Sequence, residues 1–336
     1  MSKLWRNGIL LVFVVAFCLA SSGCTNSEGG EDENVDEERD LDLSGLSVEA
    51  RNPVVDESEI TSSGEDPIGG PLGFITLVDG WGEASKTITV SGSFPASAVE
   101  GSISTSTING GINVYQASGS QYQFVFELKC NASSEEDAVA GIEEMQLDFS
   151  DTAYFDKDGS ELRIELDGYI TNLESNDNIH KSVGVNVGVP THAEYEMSLS
   201  STNGGIDVSG LDMDDSSIST TNGGVNVNSP HLEGDIGFST TNGGVNVKVS
   251  DFSSCEMDLS TTNGGVNVLV PDSKDYGYDI QASTTNGGIE YSMSSVEVLS
   301  DSEAEVHLRT RGYPNVDPKV DITLSTTNGG INIGGS

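Results

Sequence analysis

A nine-residue phrase, STTNGGVNV or a near variant, recurs along this chain, and a phrase returning at a nearly fixed interval fits only a few architectures. Its Asn stands at 109, 203, 222, 242, 263, 286 and 328. From 203 onward the intervals are 19, 20, 21, 23 and 42 residues; the last is twice 21, which predicts a degenerate copy near Arg309 to Val316. A period of this size marks a solenoid or array, in which each repeat buries its apolar face only against its neighbours.

Alignment on the Asn separates the columns. Four residues before it stand Leu199, Ile218, Phe238, Leu259, Ala282 and Leu324; three and five residues after it come pairs such as Ile206 with Val208 and Val245 with Val247. These columns are the expected core. Between the members of each later pair stand Asp207, Asn226, Asn246 and Asn267, which period-two geometry sends to solvent. The Asn-Gly-Gly step has a backbone rationale, because Gly and Asn tolerate positive φ and let a strand turn sharply. With coils stacked in parallel, the repeat Asn residues would form an amide ladder, and about 20 residues per turn suits a narrow parallel β-solenoid. Asn-Gly is also the strongest two-residue hairpin signal. A meander in which Thr261 opposes Val266 satisfies the same pattern, so the columns alone leave both open; like-on-like stacking favours the solenoid.

The rest of the folded body reads as strands with one helix. Tyr122, Phe124, Phe126 and Leu128 alternate with polar or smaller residues, as do Leu162, Ile164 and Leu166, and Val183, Val185, Val187 and Val189. Ser133 and Glu136 form a capping-box pattern ahead of Val139, Ile142 and Met145, which predicts a helix near Glu135 to Gln146. The expected organisation is a signal peptide over 1–23, an acidic disordered tether over 24–85, a strand-rich part with the helix over 86–195, and the repeat solenoid over 196–336.

Export is read from the N-terminal residues. Lys3 and Arg6 precede the apolar run Ile9 to Ala20, followed by Ser21, Ser22 and Gly23. The run is shorter than the roughly 20 residues a membrane span needs. Cys24 then resembles the lipidated cysteine of a lipoprotein signal, although Ser21 stands where such signals carry Leu; plain cleavage or an uncleaved anchor are the alternatives. Glu28 to about Gly70 is dense in acidic and small residues, a composition too poor in apolar surface to fold on its own. The expected location is the extracellular face of the membrane, lipid-anchored or secreted, with membrane contact only through the N-terminal anchor.

The formal net charge of −40 and pI of about 4.1 weigh against nucleic-acid partners, whose phosphates this surface repels. Outside the signal and Cys24 the cysteines are Cys130 and Cys255, which in an oxidising compartment either pair or remain buried thiols. His180, His192, His231 and His307 stand in no HExxH or CxxC arrangement, so sequence supports no zinc site and no cofactor. Asp156, Asp158 and Glu161 around Gly159 resemble a shortened calcium loop, and Asp212, Asp214 and Asp215 form a second acidic cluster. Neither has the ligand spread of an EF-hand, and an Asp-Gly turn and a solvated loop are the simpler readings. Asn131-Ala132-Ser133 is either a glycosylation sequon or merely the approach to the helix cap. No GxSxG elbow is present, and Arg309 with Arg311 is the one cationic pair that a polysaccharide-cleaving β-helix enzyme could use.

The order of an early Ser106 to Val114 phrase, a strand-rich insert, VGVNVGVP at Val183 to Pro190 and serial TNGG steps resembles the putative-adhesin family, a domain of unknown function in bacterial and archaeal envelope proteins. The resemblance runs from about Lys86 to the C-terminus. It implies a β-solenoid at the cell surface without established catalytic residues. The reading is therefore a noncatalytic surface module that presents the Asp207, Asn226, Asn246, Asn267 face to an envelope polymer, a surface protein or another copy of itself. The alternative is an envelope-stress regulator docking on a membrane partner.

Overall fold

The Asn-Gly-Gly steps are corners of a solenoid, not tips of hairpins. The computed structural model describes residues 47–64, 82–155, 162–176, 178–313 and 315–336. The expected signal peptide, Cys24 and the Asp156 to Glu161 loop lie outside the described residues.

The chain opens with β1 (Ser47–Ala50), β2 (Val54–Glu57) and β3 (Thr61–Gly64), then β4 (Gly82–Ser93), β5 (Ala98–Asn109), β6 (Ile112–Gln116) and β7 (Gln121–Ala132). Helix α1 (Glu135–Glu144) leads into β8 (Gln146–Phe155), β9 (Leu162–Thr171) and β10 (Ile179–Val189). The coils follow as β11 (Glu194–Asn203), β12 (Ile206–Ser209), β13 (Met213–Asn222), β14 (Val225–Asn242), β15 (Val245–Asn263), β16 (Val266–Val270), β17 (Gly277–Asn286) and β18 (Ile289–Ser292). The chain ends with β19 (Val296–Asp301), β20 (Glu305–Thr310), β21 (Lys319–Asn328) and β22 (Ile331–Gly335).

Two parallel rows meet at the corners. Before the corner, β5, β11, β13 and the later halves of β14 and β15 stack in register, so that Leu199 lies over Ile218, Ile218 over Phe238 and Phe238 over Leu259. After the corner, β6, β12, the early halves of β14 and β15, and β16 do the same, with Ile206, Val225, Val245 and Val266 in one column. Leu199, Ile218, Phe238, Leu259, Val225 and Val245 are all buried, as the columns required.

The last repeat in sequence is not the last in space. β21 pairs with β15 on one side and β17 on the other, and β22 lies between β16 and β18. The coil carrying Asn328 is thus inserted between those carrying Asn263 and Asn286. This corrects the expected degenerate copy near Arg309 to Val316: β20 there runs antiparallel to both β17 and β19. The 42-residue interval contains a hairpin that covers the terminal β17, as a solenoid end requires.

At the other end both rows run into antiparallel sheet. β5 continues into β9, β8 and β1, and β6 into β10, β7 and β4. The VGVNVGVP segment forms the base of the second row, setting Val185 beside Ile112 and Val187 beside Val114. The helix packs on this end. Its N-cap is Ser134 rather than Ser133, with the Ser134 hydroxyl accepting from the Asp137 amide at 3.1 Å.

The tether reading over 24–85 needs correction at Ser47–Ala50, Val54–Glu57, Thr61–Gly64 and from Gly82 onward, where the chain is paired in strands. β2 and β3 pair with β4, which itself begins at Gly82, and β1 pairs with β8. Composition judged side-chain burial, and correctly so: Val54 and Val55 are 67% and 48% exposed. Backbone pairing to a sheet edge needs no apolar side chain.

The corner reveals a role for the residue two before the Asn. Thr220, Thr240, Thr261 and Thr326 are buried, and each hydroxyl donates to the carbonyl of the first corner Gly of the neighbouring coil, at 2.7–2.9 Å. Thr261→Val keeps the volume and strands the Gly243 carbonyl, so unfolding should be easier by about 1–2 kcal/mol. A urea midpoint unchanged from the parent would show that the hydroxyl contributes only shape.

Candidate binding face

Two columns of polar side chains run along the outside of the coils. At the corners the repeat Asn residues form a one-directional ladder: each amide nitrogen donates to the side-chain oxygen of the next coil. Asn203 donates to Asn109, Asn222 to Asn203, Asn242 to Asn222 and Asn263 to Asn242, at 2.7–2.8 Å. The chain continues out of sequence order, Asn328 donating to Asn263 and Asn286 to Asn328 at 2.8 and 2.9 Å. None of these Asn residues has positive φ; among the described non-Gly residues only Asn172 and Asp215 do. The predicted positive φ falls on the glycine at three corners, Gly110 (+149°), Gly243 (+156°) and Gly264 (+159°), and a second demand is the close approach of neighbouring backbones, since a Cβ on Gly204, Gly223, Gly243, Gly264 or Gly329 would overlap the carbonyl of the adjacent corner.

The second column is the expected face. Asn226 donates to Asp207 at 2.8 Å, Asn246 to Asn226 at 2.8 Å and Asn267 to Asn246 at 2.7 Å. All four are exposed, and Asn113 and Asn332 extend the column in register at either end. Each amide spends one N–H on its neighbour and keeps the other for solvent. With Lys248 and Leu269 from the adjacent outward column, these residues line an open groove of ≈ 450 Å³.

The other outer face is acidic. Asp215, Asp235, Glu256 and Asp258 line a second groove of ≈ 310 Å³. Cations close this side at its ends. Arg163 pairs with Glu196 and, at 3.7 Å, with Glu100. Arg309 pairs with Asp279 through Nε at 2.9 Å and lies 5.1 Å from the centre of the Tyr313 ring. Arg311 is instead 89% exposed, 3.6 Å from Glu297. The two arginines therefore serve separate ion pairs and do not converge on one point.

Near the start of β11, Glu194, His231 and Glu233 bring their ligand atoms within 4.8 Å of one another. Burial, with the charges of Asp214 and Glu233, raises the Glu194 carboxyl. Across the strand, the Tyr276 hydroxyl donates to Asp251 and holds its carboxyl low. No sequence motif indicated this grouping, because Glu194 comes from a different coil than His231 and Glu233.

Cys130 and Cys255 are buried free thiols, so the disulfide alternative does not hold in this fold. Cys130 lies under α1 against Gly141, whereas Cys255 sits on β15 between Gly234 and Val320. Burial pushes the Cys255 thiol up to about 12, which leaves it unreactive. Asn131 is exposed on β7 opposite His180. Among the described residues no helix is long and apolar enough to cross a membrane.

Residues 187–286 match the family model described as Toastrack DUF4097. No curated protein matches the chain. Among solved structures, a putative cell adhesion protein from Clostridium sporogenes ATCC 15579 is 16% identical with a TM-score of 0.38, covering 74% of this chain and 99% of its own. A putative adhesin from Bacteroides fragilis NCTC 9343 is 11% identical with a TM-score of 0.27, covering 73% and 96%. Scores this low say nothing of function. The family similarity spans the end of β10 through β17, and the consecutive Asn-Gly-Gly coils of this chain are Toastrack-like over that stretch.

Proposed function

We propose that this chain is a noncatalytic binding module of the cell surface, and that the amide column from Asp207 to Asn267 holds a hydroxyl-rich envelope polymer. The observation that carries the reading is the ladder itself. Hydrogen bonds between successive side chains fix the amides at the strand spacing of about 4.8 Å, so little rotamer entropy remains to be lost on binding. Each Asn-bearing coil presents one unspent N–H and carbonyl lone pairs along a shallow, open groove, and Asp207 adds a carboxylate acceptor. Such a surface suits many weak contacts with an extended, repetitive ligand better than enclosure of a small molecule. The strongly negative charge selects for neutral or cationic polymers. Attachment through Cys24 would place the groove outside the cell.

The test is binding of the full chain to purified wall polysaccharide from the producing cell, beside the triple variant Asn226→Ala, Asn246→Ala, Asn267→Ala. Exposed substitutions of this kind change stability by about 0.5 kcal/mol or less each, so the fold should survive. Saturable binding without shortening of the polymer, weakened at least ~10-fold in the variant, is the expected result. Equal binding by the variant, or cleavage of the polymer, would overturn it. Binding to no polymer together with a single stoichiometric membrane protein partner would transfer the function to the regulatory class.

A further inference from the structure

We propose that Glu194, His231 and Glu233 form a binding site for a first-row divalent cation of the Zn²⁺ type. This inference does not rest on the polymer-binding reading and uses a different face of the coils.

Geometry brings the three side chains together from two turns. Glu194 opens β11, whereas His231 and Glu233 flank the buried Leu232 on β14, so alternation sends both of the latter to the outer side. The strands bulge here in successive coils: registers shift between Asp214 and Ser217 and between Leu232 and Gly234, and Gly234 has φ +69°. Bulges re-aim side chains that a regular ladder would keep two coils apart. The outcome is one imidazole and two carboxylates with ligand atoms within 4.8 Å. A shell of 2.0–2.2 Å bonds around a single ion would close that spread with small side-chain rotations.

The imidazole is what distinguishes this place from the acidic surface around it. His231 Nδ1 lies 3.3 Å from Asp251 Oδ2, and Asp251 is itself anchored by the Tyr276 hydroxyl. A carboxylate accepting from Nδ1–H fixes the tautomer whose Nε2 lone pair is free to ligate, the arrangement that supports metal-bound histidines generally. Nε2 at present contacts the Ser253 hydroxyl at 3.2 Å, a weak partner that a cation would displace. Among the described residues no Lys or Arg forms an ion pair with Glu194 or Glu233. Imidazole with two carboxylates favours zinc and its neighbours, whereas calcium and magnesium prefer all-oxygen shells.

The experiment titrates the full chain with Zn²⁺ in a calorimeter in the presence of millimolar Ca²⁺, which occupies diffuse acidic positions. One saturable equivalent should remain in the parent, be lost in His231→Gln, and weaken about 10-fold or more in Asp251→Asn. Because any variant can perturb its neighbourhood, the unmodified chain supplies a second readout: Zn²⁺ should shift the ring resonances of His231 while leaving His180, His192 and His307 in place. Zn²⁺ uptake that Ca²⁺ abolishes, uptake that is equal in His231→Gln, or an unmoved His231 ring would overturn the proposal.

Discussion

Gly243→Ala should unfold the solenoid far more readily than Gly244→Ala, although the two glycines are adjacent in one corner. A Cβ on Gly243 would overlap the carbonyl oxygen of Gly223, whereas on Gly244 the nearest atom is the Gly265 oxygen at 3.4 Å, an ordinary contact. The obstacle is the Gly223 backbone, pinned by the Gly223 amide donating to Asn242 and by Thr240 donating to the Gly223 carbonyl. It cannot swing aside as a side chain would, and relief requires separating two coils. The expected cost is about 3 kcal/mol or more, at the upper end of overpacking. Gly244→Ala should stay within about 1 kcal/mol of the parent, because reduced freedom of the unfolded chain offsets the tighter packing. Denaturant midpoints of the two variants at equal slope decide the matter. Equal losses would mean that neither the approach of the neighbouring coil nor the positive φ of Gly243 (+156°) governs the corner.

This asymmetry marks where sequence stops being readable. The core columns were legible because period two and period twenty act together: Leu199, Ile218, Phe238 and Leu259 can be aligned by eye and are buried together. The Asp207 to Asn267 face followed from the same alternation. Stack order was not legible, because an interval of 42 residues is the same whether a copy has decayed or a hairpin intervenes while the final coil slots back beside β15. The Glu194, His231 and Glu233 grouping was hidden for a related reason. Column alignment assumes a regular ladder, and the bulges after Asp214 and Leu232 break it where these side chains meet. Short-range ligand motifs cannot register a set in which Glu194 is supplied by one coil and His231 with Glu233 by another.

The N-terminal segment holds the second large effect. Arg51 follows β1, and its guanidinium reaches 3.3 Å from Asp151 Oδ1 and bonds the Ser93 hydroxyl at 3.1 Å. The Asp151 side chain is 1% exposed and accepts from the Tyr122 hydroxyl at 2.6 Å. Arg51→Leu leaves that carboxylate buried without its cation, which should cost about 3 kcal/mol near neutral pH, the low end for a broken buried pair because Arg51 keeps some solvent. Burial raises the Asp151 carboxyl, against the lowering by Tyr122 and Arg51. A carboxyl raised on folding contributes stability below its unfolded pKa and loses it as pH climbs through the folded one. Removing Arg51 raises it further, so the deficit of the variant relative to the parent should be greatest at neutrality and shrink as the carboxyl takes up its proton toward about pH 4. Adding Asp151→Asn to Arg51→Leu should recover much of the loss at neutral pH, since the amide oxygen still accepts from Tyr122. Urea unfolding of parent, single and double variants across that pH range measures both effects. A deficit that ignores pH and survives Asp151→Asn would mean that Arg51 acts by packing the strand against the sheet edge, not by neutralising a buried charge.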